Sequence, residues 1–441
     1  MLLTEKILLD PTAEQKEWLW RMSRAATRLY NIALEQRKHH WLRYHGTRPG
    51  ITYRYQNAQL VELKQEFPEF RGLYSLVAQE VLRLLQKNFN SFFGRLKRQR
   101  VAREEVTVRT PRFKSSRYFF TLSYIQSGFS IKGSELTLSG GMEPSTDKKG
   151  KTRYRRCRQT IKITGYRNLP GKIHSLTVTY DKKTGNFYAQ LVYEVQPLKK
   201  ETVHPLKAIA FDPGVKTFLT GADTSGRLIV FDSLVKRTVK YFDSQIDKVK
   251  SLRDRCKKGS RRYKKLSCVL SSLYRRRFAQ VTDELHAIAK LLAEGDWDIV
   301  GVGNPNKLGM VSVDPAKGKG NQNINRAVQN NWPLKKGAGF LNYKLEYRDK
   351  LFLPIDEKYS TQECSSCGHR IKLDPSIRVY RCPKCQMVMG RDENAAINLL
   401  NRVLAGTAHP NKNHTDYRVR ITFHRTCSGR WVHREEFLTP A

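Results

Sequence analysis

Long hydrophobic runs are missing from this sequence. No stretch approaches the roughly 18 uninterrupted apolar residues that a bilayer-spanning helix needs, so a membrane role is not expected. The first fifteen residues, MLLTEKILLDPTAEQ, carry early acids and no small-residue cleavage site, which argues against a signal peptide. We therefore expect a cytoplasmic protein. Thiols stay reduced there, so the eight cysteines do not predict a disulfide framework.

Acidic residues are also scarce. The 441 residues include 40 Asp and Glu against 81 Lys and Arg, which gives a formal net charge of +41. The positive charge is spread along the whole chain, so a basic tail does not explain it. A chain this basic repels itself unless a polyanion neutralises it, and nucleic acid is the natural partner.

The pattern of apolar residues predicts two architectures in succession. Residues 1–10 and several alternating stretches between 105 and 200, the first of them VTVR at 106–109, predict strands of a small β-barrel, with helices inserted at 11–104. After residue 200, apolar strands alternate with helices, which is typical of an α/β fold. Helices are predicted over about 236–258 and 261–294, and a buried strand over 297–303.

The segment 248–277 contains thirteen Lys or Arg and one acid, Asp254. A solvated helix face normally mixes charges of both signs, so this run predicts contact with a phosphate backbone. The candidate nucleic-acid-binding residues are Arg253, Arg255, Lys257, Lys258, Arg261, Arg262, Lys264, Lys265, Arg275, Arg276 and Arg277.

Four cysteines form two matched pairs. Cys364-Ser-Ser-Cys367 and Cys382-Pro-Lys-Cys385 are C-x-x-C units with 14 residues between them. Four thiolates can close a tetrahedron around zinc and leave no open position for chemistry, so the spacing predicts a structural zinc site. Incidental cysteines and a redox C-x-x-C are the alternatives, and two matched pairs argue against both.

Two carboxylates stand out by their context. Asp212 ends an apolar strand and precedes a tight turn, so it is either a turn former or a side chain at a substrate crevice. Asp392 precedes the helical run AAINLL, where it could serve as the N-cap. The residues alone leave these alternatives open.

Several motifs together resemble the TnpB family of transposon-encoded proteins and their relatives, the compact type V CRISPR effectors. The motifs are DPTAEQ at 10–15, Asn31, PRFK at 111–114, FDPG at 211–214, CSSCG…CPKC at 364–385 and GRDENAAINLL at 390–400. The resemblance implies cleavage of guide-complementary double-stranded DNA next to a short flanking motif, with a structured guide RNA, structural zinc and catalytic magnesium. It also implies that Asp212 and Asp392 bind magnesium. A monomer is the favoured interpretation, although the sequence leaves the oligomeric state open.

The resemblance also implies the domain organisation. A wedge β-barrel domain would comprise 1–10 and 105–200, and a helical recognition lobe 11–104. An RNase H-like (RuvC) nuclease domain would comprise 201–360 and 388–405, with a zinc-ribbon-like module for target nucleic acid at 361–387. Residues 406–441 would form a polar C-terminal tail with no predicted role.

One position departs from the family pattern. The second nuclease motif normally places a Glu where this chain has Gly303. Some lineages of the family carry a Glu just before the zinc module instead, and Glu357 stands seven residues before Cys364. Glu357 is therefore the predicted third catalytic carboxylate, and Asp356 and Glu346 are its rivals. Alternatively, the chain is a nuclease-inactive RNA-guided DNA-binding protein; a third hypothesis is a basic zinc protein that only scaffolds RNA.

Overall fold

A computed structural model describes residues 1–44, 47–103, 105–146, 152–198, 206–214, 217–232, 234–305, 333–374, 377–406, 417–426 and 428–438. The chain divides into two compact units, Met1–Gln196 and Pro197–Ala441. Each contains a seven-stranded sheet, so the expected multi-domain α/β organisation is found. None of the helices in the described ranges combines the length and apolarity of a membrane-spanning segment.

The first unit places its helices between its first and second strands. The elements are β1 (Leu2–Asp10), α1 (Ala13–Tyr44), α2 (Tyr53–Ala58), α3 (Leu60–Glu66), α4 (Ser75–Val101), β2 (Leu122–Ile125), β3 (Phe129–Lys132), β4 (Glu135–Thr146), β5 (Thr152–Thr164), β6 (Ile173–Asp181) and β7 (Asn186–Glu194). The sheet order is β2-β6-β7-β1-β5-β4-β3. Every neighbouring pair is antiparallel.

One predicted strand of this unit is wrong. The alternating run VTVR at 106–109 has no strand structure. Its backbone bonds instead to a side chain of α4: the Thr107 amide donates to Gln99 Oε1 at 3.3 Å, and Gln99 Nε2 donates to Thr107 Oγ1 at 2.9 Å. The Gln99 side chain of α4 thus makes hydrogen bonds to this segment where a neighbouring strand was expected.

The second unit alternates strands and helices. Its elements are β8 (Ala208–Asp212), β9 (Leu219–Asp223), β10 (Arg227–Asp232), α5 (Leu234–Asp254), α6 (Arg261–Glu294), β11 (Ile299–Gly303), α7 (Leu334–Tyr347), β12 (Leu351–Ile355), β13 (Val379–Arg381), β14 (Val388–Gly390), α8 (Arg391–Ala405), β15 (Val419–Arg425) and β16 (Trp431–Phe437). The main sheet has the order β12-β11-β8-β9-β10-β15-β16, and β13 pairs with β14 separately. Strand β8 is parallel to β11 and antiparallel to β9, and β11 is parallel to β12.

The helix boundaries follow local sequence signals. Helix α6 spans the predicted residues because Ser260 caps it, its Oγ accepting from the Tyr263 amide at 3.1 Å. Helix α5 ends at Asp254, four residues earlier than predicted. Gly259 has a φ of +88° in the connecting turn, a conformation that only glycine adopts readily.

The C-terminal segment left uninterpreted by sequence is part of the main sheet. Strand β15 pairs in parallel with β10, and β16 pairs antiparallel with β15. The sequence signal was the weak alternation of Val419, Ile421 and Phe423 with polar residues. The rings of Phe423 and Phe231 stack with centroids 5.3 Å apart, which joins this addition to the core.

Candidate functional site

Strand periodicity places Asp212 and Gly303 on one face of the main sheet. Side chains alternate between faces along a strand. In β8, Ala208 and Ala210 pack in the apolar cluster that contains α8 residues, whereas Ile209 and Phe211 pack in the opposite cluster with α6 and α7. Asp212 therefore projects on the α8 side, where it is 8% exposed.

The same alternation applies to β11 and β12. Ile299 packs in the α8 cluster, so Gly303, at the end of the same strand, lies on that face. Ile355, the last residue of β12, also packs in that cluster. A Cβ built on Gly303 would overlap Glu357 Oε1 and would lie 2.7 Å from both Glu357 Cγ and Cδ. The Glu357 side chain thus occupies the space in front of Gly303, where a side chain of residue 303 would otherwise lie.

The rivals of Glu357 lie elsewhere. Asp356 is exposed and follows the last residue of β12. Its carboxylate accepts the Lys358 amide at 3.0 Å, a local turn contact. Glu346 is exposed on α7, which packs against the opposite face of the sheet. Neither Asp356 nor Glu346 occupies the space in front of Gly303 that Glu357 fills.

Asp392 lies in the first turn of α8 but does not cap the helix. The N-cap residue is Gly390, with no side-chain capping bond. The Asp392 carboxylate is 3.5 Å from the Arg391 guanidinium and 3.9 Å from that of Arg378. The neighbouring Glu393 forms an ion pair with Arg420 of β15, so the two adjacent acids have different partners. The N-cap alternative for Asp392 is therefore wrong.

Electrostatic coupling links the three carboxylates. Burial and the Asp392 carboxylate raise the pKa of Asp212 to about 7, partly offset by Arg391. Burial and the carboxylates of Asp212 and Asp356 raise the pKa of Glu357 to about 8. Glu357 Oε1 is buried and has no hydrogen-bond partner within the described part of the chain. A cation among these oxygens would relieve both the repulsion and the unmet acceptor.

The carboxylates are spaced more widely than the cysteines. Among the described residues, only the four cysteines bring all their ligand atoms within 4.8 Å of one another. Two catalytic cations commonly lie about 3.5–4 Å apart and share ligands from separate segments, so a wider donor set suits such a pair. Carboxylate oxygens are the donors that hard divalent cations prefer.

A divalent cation that binds the carboxylates of Asp212 and Glu357 should bind more tightly as the pH rises. The reason is that each protonated carboxyl group must lose its proton before the cation binds. With pKa values raised to about 7 and 8, Asp212 and Glu357 lose these protons between about pH 6 and pH 9. We expect the Mn²⁺ dissociation constant to fall over this range by up to about tenfold per pH unit for each proton displaced. Titration of free Mn²⁺ at fixed pH values measures this constant; a pH-independent value would contradict the expectation.

The predicted zinc ligands converge. The Cys364 and Cys385 sulfurs are 3.6 Å apart, and those of Cys367 and Cys382 are 3.5 Å apart. Gly368 follows the first pair with a φ of +74°, which lets the chain turn tightly around the sulfurs. Tetrahedral zinc with bonds of about 2.3 Å requires similar sulfur separations. The four cysteines therefore fit a structural zinc ion.

Replacing Cys382 with serine should reduce bound zinc to well below one ion per chain. Structural zinc contributes about 10–16 kcal/mol of apparent binding free energy, which stabilises the local fold. We therefore also expect the variant to unfold at a lower temperature. Elemental analysis and thermal unfolding measure the two effects. Cys268→Ser is the matched control, because Cys268 is exposed and outside the cluster; full zinc content in Cys382→Ser would contradict the assignment.

The candidate basic residues of α5, α6 and the turn between them divide into two groups. Nine of the eleven candidates are exposed. Two are partly covered and engaged within the chain: Arg277 Nε is 3.1 Å from Asp243 and joins α6 to α5, while Arg253 pairs with the adjacent Asp254 at 2.6 Å. The exposed candidates are Arg255, Lys257, Lys258, Arg261, Arg262, Lys264, Lys265, Arg275 and Arg276.

Sequence reasoning missed a polar row inside α8. Asn394 and Asn398 are 0% and 7% exposed, and both bond to the chain leading into the zinc cysteines. The available signal was two asparagines at four-residue spacing within an apolar helical run. Arg391, which moderates the pKa of Asp212, was also missed, and no sequence pattern distinguished it from the other arginines.

Three family models match separate parts of the chain. They are described as "Cas12f1-like, TNB domain" at residues 337–399, "Probable transposase" at 190–312 and "Helix-turn-helix domain" at 1–45. The first includes all four cysteines, Glu357 and Asp392. Residues 1–44 here form one strand and one long helix.

Two curated relatives and one solved structure are also similar to this chain. A Mycobacterium tuberculosis protein described as "Putative RNA-guided DNA endonuclease" is 28% identical over 232 residues, covering 52% of this chain and 49% of the relative. A mimivirus protein described as "TnpB-like protein" is 28% identical over 229 residues, covering 51% of this chain and 42% of the relative. This chain thus spans about half the length of these relatives. In a Cas12f1–sgRNA–target DNA complex, the Cas12f1 chain matches with a TM-score of 0.59 and 15% identity, covering 88% of this chain and 83% of that one.

The fold and cysteine cluster define a multi-domain α/β protein with a Cas12f-like zinc-binding module. The resemblance to the TnpB family and to compact type V effectors, predicted from the motifs, is confirmed by these matches.

Proposed function

We propose that this chain is an RNA-guided DNA endonuclease that cuts guide-complementary double-stranded DNA beside a short flanking motif. The observation that carries the proposal is the Glu357 side chain, which fills the space in front of Gly303 on the face shared with Asp212. The carboxylate missing from β11 is thereby supplied from the chain after β12. The similarity to the M. tuberculosis proteins described as RNA-guided DNA endonucleases supports guided DNA cleavage.

The topology supports an RNase H-like (RuvC) assignment for the second unit. Its strands β12-β11-β8-β9-β10 have a central β8 parallel to β11 on one side and antiparallel to β9 on the other. This proposal keeps the other domain boundaries expected from the resemblance, including a wedge barrel in the first unit. It changes the C-terminal one, because β15 and β16 belong to the main sheet of the second unit.

In the proposed site, Asp212, Glu357 and Asp392 would hold magnesium. Magnesium, when bound, stabilises the attacking and leaving oxygens of the phosphodiester. The donors fit it, because they are carboxylates and the buried Glu357 Oε1 has no hydrogen-bond partner among the described residues. Arg391 moderates the negative charge when the site is ionised. Burial limits competition from water for the same oxygens.

Guide RNA and target DNA are the proposed partners. The nine exposed cations of α6 and of the turn that precedes it can follow a phosphate backbone, and their contribution should weaken as salt increases. Base pairing of the guide supplies sequence recognition in proteins of this class, so the basic surface needs no base-specific contacts.

A nuclease-inactive RNA-guided DNA-binding protein is the second candidate, favoured by Gly303 itself. The test incubates the full chain and its copurified, sequenced guide RNA with matched duplex and magnesium. Guide-dependent cut product supports the proposed endonuclease. Guide-dependent binding without product supports the second candidate. RNA binding without guide-dependent DNA binding contradicts both and indicates an RNA scaffold.

A further inference from the structure

Glu357 lies outside the regular hydrogen bonding of the sheet. Strand β12 ends at Ile355, two residues before it. A carboxylate on a strand end is fixed by the sheet, whereas Glu357 occupies a turn in which its own carbonyl accepts the Ser360 amide at 3.0 Å. Metal ligands must be held within fractions of an ångström of their working positions. The position of Glu357 therefore requires support from another element.

Helix α8 provides a polar row that follows this turn. Asn394, Asn398 and Arg402 are spaced by four residues and so share one face of the helix. We call these three residues the α8 row. The apolar residues of α8 pack on the sheet, so the row is available to the chain between β12 and the zinc module.

The α8 row contacts main-chain groups in antiparallel order. Asn394 Nδ2 donates to the Glu363 carbonyl at 2.7 Å, and the Ser365 amide donates to Asn394 Oδ1 at 2.9 Å. Asn398 Nδ2 donates to the carbonyls of Ser360 and Glu363 at 2.8 and 2.7 Å. The first zinc ligand, Cys364, lies between the two residues that Asn394 holds.

Arg402 contacts the two residues that flank Glu357. Its Nη2 donates to the Lys358 carbonyl at 2.9 Å, and its Nη1 donates to the Asp356 carbonyl. The same guanidinium lies 3.6 Å from the Glu363 carboxylate. A planar guanidinium can bridge two carbonyls in a fixed geometry, which the single ammonium of lysine cannot reproduce.

We propose that Arg402 is a positioning residue that fixes the main chain on both sides of Glu357 and thereby directs its carboxylate toward the site of Asp212. The α8 row also connects this carboxylate to the first zinc cysteine and to Asp392 at the start of the same helix. Helix α8 thus aligns Glu357, a carboxylate that lies outside the strand, with the rest of the site. This inference rests on the proposed function.

The test measures Mn²⁺ binding and DNA cutting by the full protein–guide complex carrying Arg402→Met. We expect the Mn²⁺ dissociation constant and the Mg²⁺ concentration for half-maximal cutting to increase at least about tenfold, because a displacement of about 1 Å can cost about 100-fold in a positioned site. Guide-dependent DNA binding and zinc content should stay at wild-type values.

Arg425→Met is the matched control. Arg425 is also a partly buried arginine that bonds a main-chain carbonyl, that of Gly429 at 3.2 Å, and it pairs with Asp283 and Glu284. Its loss should lower thermal stability and leave the Mn²⁺ dissociation constant unchanged. An equal increase in both variants, or no increase in Arg402→Met, would overturn the inference.

Arg402→Lys decides the question if Arg402→Met does not fold. The single ammonium of lysine can bond only one of the two carbonyls that Arg402 bridges. The Mn²⁺ dissociation constant of Arg402→Lys should therefore still exceed that of wild type, and equality with wild type would overturn the inference. A wild-type complex that binds Mn²⁺ but never cuts matched DNA would instead contradict the proposed function. The two failures are therefore distinguishable.

Discussion

Glu357→Gln should slow guided DNA cutting by at least about 100-fold, the scale seen when one electrostatic group is removed from a preorganised site. Glutamine keeps the shape of the side chain in front of Gly303 but loses the charge that would bind magnesium. Guide-dependent binding of matched DNA should remain within about twofold of wild type, because base pairing carries recognition. Single-turnover cutting rates and binding isotherms on the same complex measure the two quantities.

Glu346→Gln and Asp356→Asn are the matched controls for this variant. Both remove a nearby acid, but Glu346 is on the opposite side of the sheet and Asp356 is exposed in a turn. We expect Glu346→Gln to cut at the wild-type rate. Asp356→Asn should have a small effect, since Asp356 contributes to the raised pKa of Glu357. Undiminished cutting by Glu357→Gln would remove Glu357 from the site.

Gly303→Ala should reduce cutting at least about tenfold, although it adds only one methyl group. That methyl would overlap Glu357 Oε1 and must displace the carboxylate. Displacements near 1 Å can cost about 100-fold in rate. The measurement is again single-turnover cutting, together with the magnesium concentration required for half-maximal rate.

Gly301→Ala separates displacement of the carboxylate from general crowding. Gly301 is on the same strand and face, and a methyl group there would meet Ile355 and Val403, both apolar. This control should lower the unfolding temperature and leave the magnesium requirement near that of wild type. If both alanine variants changed the magnesium requirement equally, the specific role of Gly303 would be contradicted.

Local sequence signals predicted the parts of the structure that depend on neighbouring residues. The four zinc ligands follow from C-x-x-C spacing, and α6 begins after a glycine turn and a serine cap. The faces of β8 and β11 follow from strand alternation once their bounds are known. These features need no information about distant segments.

The convergence of the carboxylates could not be predicted in the same way. It depends on β12 pairing with β11, which brings residue 357 in front of residue 303 across 53 intervening residues. The resemblance suggested Glu357, but the residues alone did not exclude Asp356. Likewise, the sequence treated eleven basic residues alike, whereas Arg277 is paired with Asp243 across two helices.

The central claim is that Asp212, Glu357 and Asp392 bind shared divalent cations, and Mn²⁺ binding to the protein–guide complex tests it most directly. Asp212→Asn, Glu357→Gln and Asp392→Asn should each weaken Mn²⁺ binding or lower the number of ions bound, while Glu346→Gln should match wild type. Wild-type Mn²⁺ binding by Asp212→Asn or Glu357→Gln would contradict the claim.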